Sequence, residues 1–298
     1  MLDRSALYDP DLIARLAGPE LAGPPSPFPH RGGHRSRHRG ASLEFSEHNE
    51  YAPGDDLRHL DWKVLGKTDR LFVKRYEDER LQRALLLVDA SASMGYGAAD
   101  RGVGSKYHLA ARVAVALAAC LLRQGDAVGV RMAPVAPGGA LPPRSGGAQL
   151  DAVIEVLGGC RPDGAADLTG ACRETGEILG GAAAVFVLSD LLDEGEEKLE
   201  GLRWLRARGI AVRLIHVLHA DEVSLPFENT SRFVDLEGAG SQVLDPVPLR
   251  RAYREEIRAF VRGVARTAGA LGVPHALCTS GEDPAPAVGA LLRQMRRG

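Results

Sequence analysis

The chain has 298 residues, and 45% of them are apolar, which is enough to build a substantial hydrophobic core. Its formal net charge of −2 gives no general attraction to nucleic acid or anionic lipid, so we expect no nucleic-acid partner. The longest uncharged apolar run, from Val113 to Leu122, is far shorter than the ~20 residues that cross a bilayer. We therefore expect no transmembrane segment and, since no signal-peptide pattern opens the sequence, a cytoplasmic location.

The N-terminal segment, residues 1–40, differs in composition from the rest of the chain. Apolar residues between Leu12 and Leu16 have the spacing of one short helix. Several prolines follow, and residues 30–39 are rich in histidine and arginine. Because such a composition is typical of segments that pack poorly, we predict a solvated Pro/Arg/His-rich arm over residues 1–40.

Residues 41–83 are expected to form a β-rich lead-in to the main domain. Apolar and polar residues alternate in short stretches on either side of a Gly-Asp-Asp sequence that contains Asp55 and Asp56. Together with Arg58 and His59, these carboxylates are interpreted as an ion-paired turn. A catalytic cluster is the alternative interpretation of the same residues.

From residue 84 onward, strand patterns alternate with amphipathic helix patterns. Strands are predicted at 84–89, 127–133, 183–190, 210–218 and 273–279, and helices at 106–123, 148–158, 168–180 and 196–208, from 246 and from 284. Residues 134–147 are expected to be a loop and residues 221–245 an irregular insert. Regular alternation of this kind favours an α/β domain over residues 84–298, with a doubly wound, mainly parallel sheet.

Polar side chains end two of the predicted strands. An Asp-x-Ser-x-Ser sequence begins at Asp89, directly after the first strand, and supplies Ser91 and Ser93, while Asp190 ends the third strand. Carboxyl ends of parallel strands meet at one edge of the sheet, where open α/β folds bind their ligands. Because carboxylate and hydroxyl oxygens suit Mg²⁺, these four residues are candidate metal ligands. The alternative is a turn capped by polar side chains.

The Asp-x-Ser-x-Ser sequence with a later Ser-Asp strand end resembles the metal-ion-dependent adhesion site of von Willebrand factor A domains. Upstream, residues 51–62 read Tyr-Ala-Pro-Gly-Asp-Asp-Leu-Arg-His-Leu-Asp-Trp, which resembles the bacterial family known as domain of unknown function 58. The motifs that carry this resemblance lie within residues 41–95. The resemblance implies a von Willebrand A-like (Rossmann-like) fold, bound Mg²⁺ or another divalent cation, and a MoxR-type AAA+ ATPase as partner in chaperone-like assembly.

The third segment of the adhesion motif departs from the family pattern, which is Gly-x-Thr-Asp-Leu. Here the segment from Gly164 to Leu168 has Ala166 where the family has threonine. Either Thr169 or Asp167 completes the metal's coordination, or the site is degenerate and binds metal poorly. Both alternatives stay open at the level of the sequence.

We expect a non-enzymatic protein-interaction module in which an acidic residue of a partner completes the coordination of the metal. Two alternatives remain. One is a metal-dependent hydrolase with Asp55, Asp56 or His59 as general base. The other is a scaffold whose metal site is vestigial. Covalent catalysis is not expected, because neither Ser91 nor Ser93 lies in a Gly-x-Ser-x-Gly sequence.

Overall fold

The computed structural model describes residues 2–21, 43–50, 72–78, 83–99, 102–134, 138–179, 183–192, 198–234, 236 and 240–295. The chain divides into two compact units. The larger unit contains Met1–Pro24 and Gln82–Gly298, and the smaller contains Pro25–Leu81.

The smaller unit contains an antiparallel pair of strands, β1 (Leu43–Glu50) and β2 (Phe72–Asp78). Their pairing has an irregularity between Phe45 and Glu47, typical of a β-bulge. The Gly-Asp-Asp sequence lies between these strands along the chain and is outside the described residues. Its interpretation as an ion-paired turn therefore stays a prediction.

The larger unit alternates strands and helices after two N-terminal helices. Its helices are α1 (Arg4–Leu7), α2 (Pro10–Leu21), α3 (Lys106–Arg123), α4 (Gly147–Gly159), α5 (Leu168–Leu179), α6 (Lys198–Ala207), α7 (Ala220–Ser224), α8 (Pro246–Ala270) and α9 (Ala285–Met295). Its strands are β3 (Arg83–Asp89), β4 (Ala127–Ala133), β5 (Ala140–Arg144), β6 (Ala183–Ser189), β7 (Ala211–Leu218), β8 (Ser231–Val234), β9 (Ser241–Leu244) and β10 (His275–Thr279).

Six strands form the central sheet, in the order β10-β7-β6-β3-β4-β5. All neighbouring pairs are parallel except β4 and β5. Numbered along the chain within this sheet, the order is 6-5-4-1-2-3, which is that of a doubly wound fold. The prediction of a doubly wound, mainly parallel sheet is thereby confirmed.

The core lies on both faces of this sheet. Successive residues of β3 point to opposite faces, so Leu86 and Val88 join one apolar cluster and Leu85 and Leu87 join the other. Helices α1 to α4 and α9 contribute to the first cluster, and α5, α6 and α8 contribute to the second. Because β3 is covered on both faces, it reads as a continuous apolar run instead of an alternating one.

Two segments predicted as irregular contain further strands. Within residues 134–147, β5 pairs antiparallel with β4 at the edge of the sheet, where the missing N–H groups of Pro142 and Pro143 are tolerated. Within residues 221–245, β8 and β9 form a separate antiparallel pair. Both corrections concern short strands outside the parallel core, where residues lack the long apolar run that marks a buried strand.

The first two helices correct the prediction of a solvated arm. Leu7, Leu12, Ile13 and Leu16 are at most 2% exposed and belong to the core cluster that includes α3. Full burial of each such side chain contributes about 1.5–3 kcal/mol, which holds this segment on the domain. The part of the predicted arm that is rich in proline, histidine and arginine, residues 24–39, is outside the described residues.

Among the described helices, none combines the length with the apolar character that spanning a bilayer requires.

The contact between the N-terminus and α4 predicts the effect of one substitution. The backbone N–H of Leu2 donates to the carbonyl oxygen of Gly158 at 3.1 Å, and a Cβ at Gly158 would lie 2.5 Å from the carbonyl oxygen of Leu2. We expect Gly158→Ala to lower the free energy of unfolding by on the order of 2 kcal/mol, because backbone atoms must move apart. Equilibrium unfolding in urea measures this change.

Gly159 provides the matched control for that substitution, since a Cβ there meets no atom within 4 Å. We expect Gly159→Ala to leave the free energy of unfolding within about 0.5 kcal/mol of wild type. Equal stability of the two variants would contradict the docking of Leu2 on α4.

Candidate functional site

The candidate site lies at the carboxyl ends of β3 and β6, the two strands at which the strand order reverses. In open α/β sheets this is the crevice in which ligands bind. The chain leaves β3 at Asp89 and continues into a 3₁₀ turn, Ala92–Gly95, and it leaves β6 at Ser189. Asp89 and Asp190 therefore reach the same crevice, and both are almost completely buried.

Hydrogen bonds join the polar side chains at these strand ends. Ser189 Oγ donates to Asp89 Oδ2 at 2.6 Å, and Ser93 Oγ donates to Asp190 Oδ2 at 2.8 Å. The hydroxyl oxygens of Ser91 and Ser93 are 3.1 Å apart. The structure thus brings Asp89, Ser91, Ser93 and Asp190 together, and with Ser189 they are called the strand-end site below. Their role as metal ligands stays a prediction.

The third predicted segment makes contacts with α5 and α6. Ala166 packs against the apolar cluster on the α5 face of the sheet. Asp167 Oδ1 accepts the backbone N–H of Gly170 at 2.7 Å and so caps the start of α5. The Cα of Thr169 would lie 3.1 Å from a Cβ at Gly201 in α6. Ala166, in the family's threonine position, has no side-chain oxygen to offer a metal ion. One carboxylate oxygen of Asp167 is already used to cap α5.

Lys106, which the sequence motifs do not assign to the site, lies directly against it. It is the first residue of α3, and its side chain is fully buried. Its Nζ donates to Asp190 Oδ2 at 2.7 Å and to Glu222 Oε1 at 2.5 Å. The other carboxylate oxygen of Glu222 accepts the backbone N–H of His219 at 2.8 Å, within the capping box of α7. One ammonium group thereby links α3, β6 and α7.

The pKa values of these groups indicate an ionised pair beside a carboxyl that resists ionisation. Burial opposes the charged form of Lys106, but Asp190 and Glu222 outweigh it and raise the pKa of the ammonium. Burial likewise acts against ionisation of Asp190, yet Lys106 and Ser93 lower the pKa of that carboxyl. For Asp89, burial and the charge of Asp190 raise the pKa. The positive charge of the site therefore resides on Lys106.

His216 of β7 forms a hydrogen bond with the backbone of the site. Its Nε2 donates to the carbonyl oxygen of Asp190 at 2.8 Å, and since a carbonyl can only accept, Nε2 carries the proton. The ring is fully buried against Phe260 and His275. Burial, followed by the neighbouring His275, lowers the pKa of His216 to about 4, so the ring is neutral at pH 7.

The spacing of three oxygens is compatible with a divalent cation. In a Mg²⁺ octahedron with ligands at about 2.1 Å, oxygens on adjacent corners are about 3.0 Å apart. The hydroxyl oxygens of Ser91 and Ser93 are 3.1 Å apart, and Ser93 Oγ is 2.8 Å from Asp190 Oδ2. On these two distances, each pair of oxygens could occupy adjacent corners of an octahedron.

The charge of Lys106 is not compatible with such an ion. A dication bound to Asp190 Oδ2 would lie less than about 4.8 Å from the Lys106 Nζ, which is 2.7 Å from the same oxygen. At an effective dielectric constant of about 20, this repulsion is ~7 kcal/mol. It is comparable to the whole binding free energy of a micromolar to millimolar cation site, about 4–8 kcal/mol. With Ala166 in the threonine position as well, the described residues do not fit a resident divalent ion.

Two sequence signals could have assigned Lys106 and Glu222 to the site. A lysine in the first turn of a helix opposes the helix dipole, so a buried one indicates that carboxylates are close by. Glu222 stands three residues after His219, the spacing of a capping box that fixes the glutamate side chain. The pairing of these two residues cannot be read from the sequence, because 116 positions separate them.

The hydrolase alternative relies on Asp55, Asp56 or His59, which lie outside the described residues. The hydrolase alternative therefore stays a prediction.

Residues 47–263 match the family described as protein of unknown function DUF58. This match spans the strands that carry Asp89 and Asp190 as well as Lys106 and Glu222. The chain belongs to the DUF58 family.

Relatives of this DUF58 protein include the uncharacterized protein Rv1480 of Mycobacterium tuberculosis strain H37Rv, which is 33% identical over 107 residues. That match covers 36% of this chain and 33% of the relative, so the chain spans about a third of the length of the curated relatives it matches.

Among solved structures, BatB from Bacteroides thetaiotaomicron is 17% identical, with a TM-score of 0.44. An aerotolerance-related membrane protein from Bacteroides fragilis is 18% identical, with a TM-score of 0.45. Each alignment covers 73% of this chain and 100% of the other.

The neutral His216 predicts how the stability of this DUF58 protein depends on pH. An unfolded histidine binds a proton near pH 6.5, whereas the folded ring resists protonation down to about pH 4. Stability from this residue is therefore complete above about pH 6.5 and is lost as the pH falls toward 4. Relative to His216→Gln, which keeps a donor for the Asp190 carbonyl, we expect wild type to lose about 3 kcal/mol over this range.

Urea unfolding of both proteins at several pH values measures this difference. His275, whose pKa is also lowered by burial, is present in both proteins, so its own burial contributes to both pH profiles. Parallel pH profiles for wild type and His216→Gln would contradict a neutral, buried His216.

Proposed function

We propose that this DUF58 protein is a non-enzymatic protein-interaction module that acts in the cytoplasm. The observation that carries the proposal is an apolar pocket of about 320 Å³ beside the strand-end site. Glu222 connects the two, since one of its carboxylate oxygens binds Lys106, which contacts Asp190 of the site, and the residue also lines the pocket. Small apolar pockets at the crevice of an α/β fold are typical places for a partner's side chain to bind.

The pocket lies between α7, the β8–β9 pair and the start of α8. Leu225, Phe227 and Phe233 form part of its wall, with the two aromatic rings 5.7 Å apart in an edge-to-face arrangement. Leu249 and Tyr253 of α8 close another side. These residues belong to separate elements that pack against each other, so the pocket is part of the fold and not a groove along one helix.

Exposed apolar side chains are concentrated in the segment that contributes Leu244 and Leu249 to the pocket. Of the large apolar side chains that are exposed among the described residues, six lie within residues 234–249. They are Val234, Leu236, Val243, Leu244, Val247 and Leu249. An exposed apolar area of this kind, concentrated in one stretch of chain, is typical of a surface that another protein covers.

The charges beside the pocket indicate the chemistry of the partner. Asp221 and Glu222 both line it, and Asp221 Oδ2 accepts the hydroxyl of Tyr96 at 3.3 Å. Burial and these carboxylates raise the pKa of Tyr96 to about 12, as expected in a negative environment. We infer that the partner segment inserts an apolar side chain flanked by a basic one. This partner replaces the acidic ligand expected for a metal with an open position.

The family resemblance supplies a specific partner for this surface. The motifs within residues 41–95 resemble those of the DUF58 family, and that resemblance implies a MoxR-type AAA+ ATPase as partner. We therefore propose that such an ATPase contributes the apolar and basic segment, and that the complex acts in chaperone-like assembly of other proteins.

Substitution of a pocket residue tests this function. Leu249 is 45% exposed, so Leu249→Lys leaves the core intact while it places a positive charge at the pocket. We expect the dissociation constant for the MoxR-type ATPase, measured by isothermal titration calorimetry, to rise at least tenfold. The reasons are loss of apolar burial and repulsion of the partner's basic side chain.

Ile178 provides the matched control, because it is an apolar side chain of α5 that is 52% exposed away from the pocket-lining residues. Ile178→Lys is expected to bind the ATPase as wild type does. Equal effects of the two substitutions would overturn the pocket as the interface, and absence of binding by wild type would overturn the ATPase as the partner.

A further inference from the structure

We propose that the ammonium group of Lys106 takes the place of a divalent cation at the strand-end site, so that the wild-type protein holds these oxygens together without bound metal. This inference does not rest on the identity of any partner. It rests on the position, burial and contacts of one side chain.

The ammonium group shares its acceptor oxygen with the Asp-x-Ser-x-Ser turn. Its Nζ lies 2.7 Å from Asp190 Oδ2, the same oxygen that accepts the Ser93 hydroxyl. Ser93 in turn contacts Ser91, so the chain of contacts runs from the Asp-x-Ser-x-Ser turn through Asp190 to the lysine. A metal ion at this edge would bind oxygens of both the β3 turn and the end of β6. Here the Ser93 hydroxyl joins the two, and the ammonium group supplies the positive charge on the oxygen that they share.

The ammonium group also recruits a ligand from outside the adhesion motif. Glu222 Oε1 lies 2.5 Å from Lys106 Nζ, while Oε2 accepts the N–H of His219. The glutamate is thus held in place by α7 and directed at the lysine. The ammonium supplies these two carboxylates with one positive charge where a dication would supply two, and Glu222 is the carboxylate that solvent still reaches.

Burial holds the ammonium group of Lys106 permanently at the site. The side chains of Lys106 and Asp190 are 0% exposed, and that of Glu222 is 15% exposed. An ammonium fixed to the backbone at the start of α3 is present at the site at every metal concentration. A dissolved cation would have to displace it from a closed site and leave it without its carboxylate partners.

Removal of the lysine charge is expected to create a metal site. Lys106→Ala leaves Asp190 and Glu222 without their cation, close to the hydroxyl oxygens of Ser91 and Ser93. Carboxylate and hydroxyl oxygens in this number are the ligands that Mg²⁺ and Mn²⁺ prefer, and the truncated side chain leaves space for the ion and its waters. The variant should therefore bind an ion that wild type excludes.

Titration with Mn²⁺, monitored by electron paramagnetic resonance, tests the proposal on the full chain. We expect no saturable site in wild type and one site in Lys106→Ala, with at least tenfold higher affinity than any binding by wild type. The double variant Lys106→Ala/Asp190→Asn should lose this site. In parallel, Mg²⁺ should raise the melting temperature of Lys106→Ala and leave that of wild type unchanged.

Two results would overturn the proposal. One is stoichiometric Mn²⁺ binding by wild type that Ser93→Ala abolishes, and the other is a folded Lys106→Ala that gains no Mn²⁺ site. If Lys106→Ala is unfolded by the unpaired carboxylates, circular dichroism with and without Mg²⁺ shows whether the ion restores folding, as the proposal expects. If Mg²⁺ does not restore folding, the Mn²⁺ titration of the wild-type protein decides. A Mn²⁺ site that Ser93→Ala abolishes overturns the proposal, and the absence of such a site in wild type supports it.

Discussion

A buried ion pair between Lys106 and Asp190 is the interaction on which the arrangement of the site depends. Asp190 directly follows β6 and Lys106 begins α3, and both side chains are inaccessible to solvent. Ionised groups are stable in such a place only when they are paired, and loss of one partner from a buried pair costs about 3–5 kcal/mol. The polar edge of the sheet can therefore persist next to an apolar core because each charge has a fixed partner.

The doubly wound sheet is the reason that these partners meet. Strand order reverses between β3 and β6, so the turns that follow the two strands leave in different directions and open a crevice between them. Asp89 and its serines come from one turn and Asp190 comes from the other. The start of α3 then brings Lys106 back over this crevice. The charge of the lysine opposes the helix dipole there, and two carboxylates offset that cost.

Much of this fold could be predicted from local patterns, since buried parallel strands are short apolar runs and their helices have a 3.6-residue period. The convergence of Asp89 and Asp190 followed from the rule that carboxyl ends of parallel strands share an edge. Other features depend on contacts between distant residues. Glu222 reaches Lys106 across 116 positions, and the helix carrying Leu12 and Ile13 is buried only because it docks on α3. Local composition carries no information about such contacts.

The position of Lys106 decides which kind of partner group the site can bind. A site with a metal can offer an open coordination position to an acidic ligand, whereas a site closed by an ammonium presents carboxylates and an adjoining apolar pocket. A crystal structure of the wild-type protein grown in MnCl₂, with anomalous differences collected at the manganese edge, distinguishes them most directly. Our account predicts no anomalous peak at coordination distance from Ser91 and Ser93, and a Lys106 ammonium in contact with Asp190. A manganese peak there, with Lys106 turned away, would contradict it.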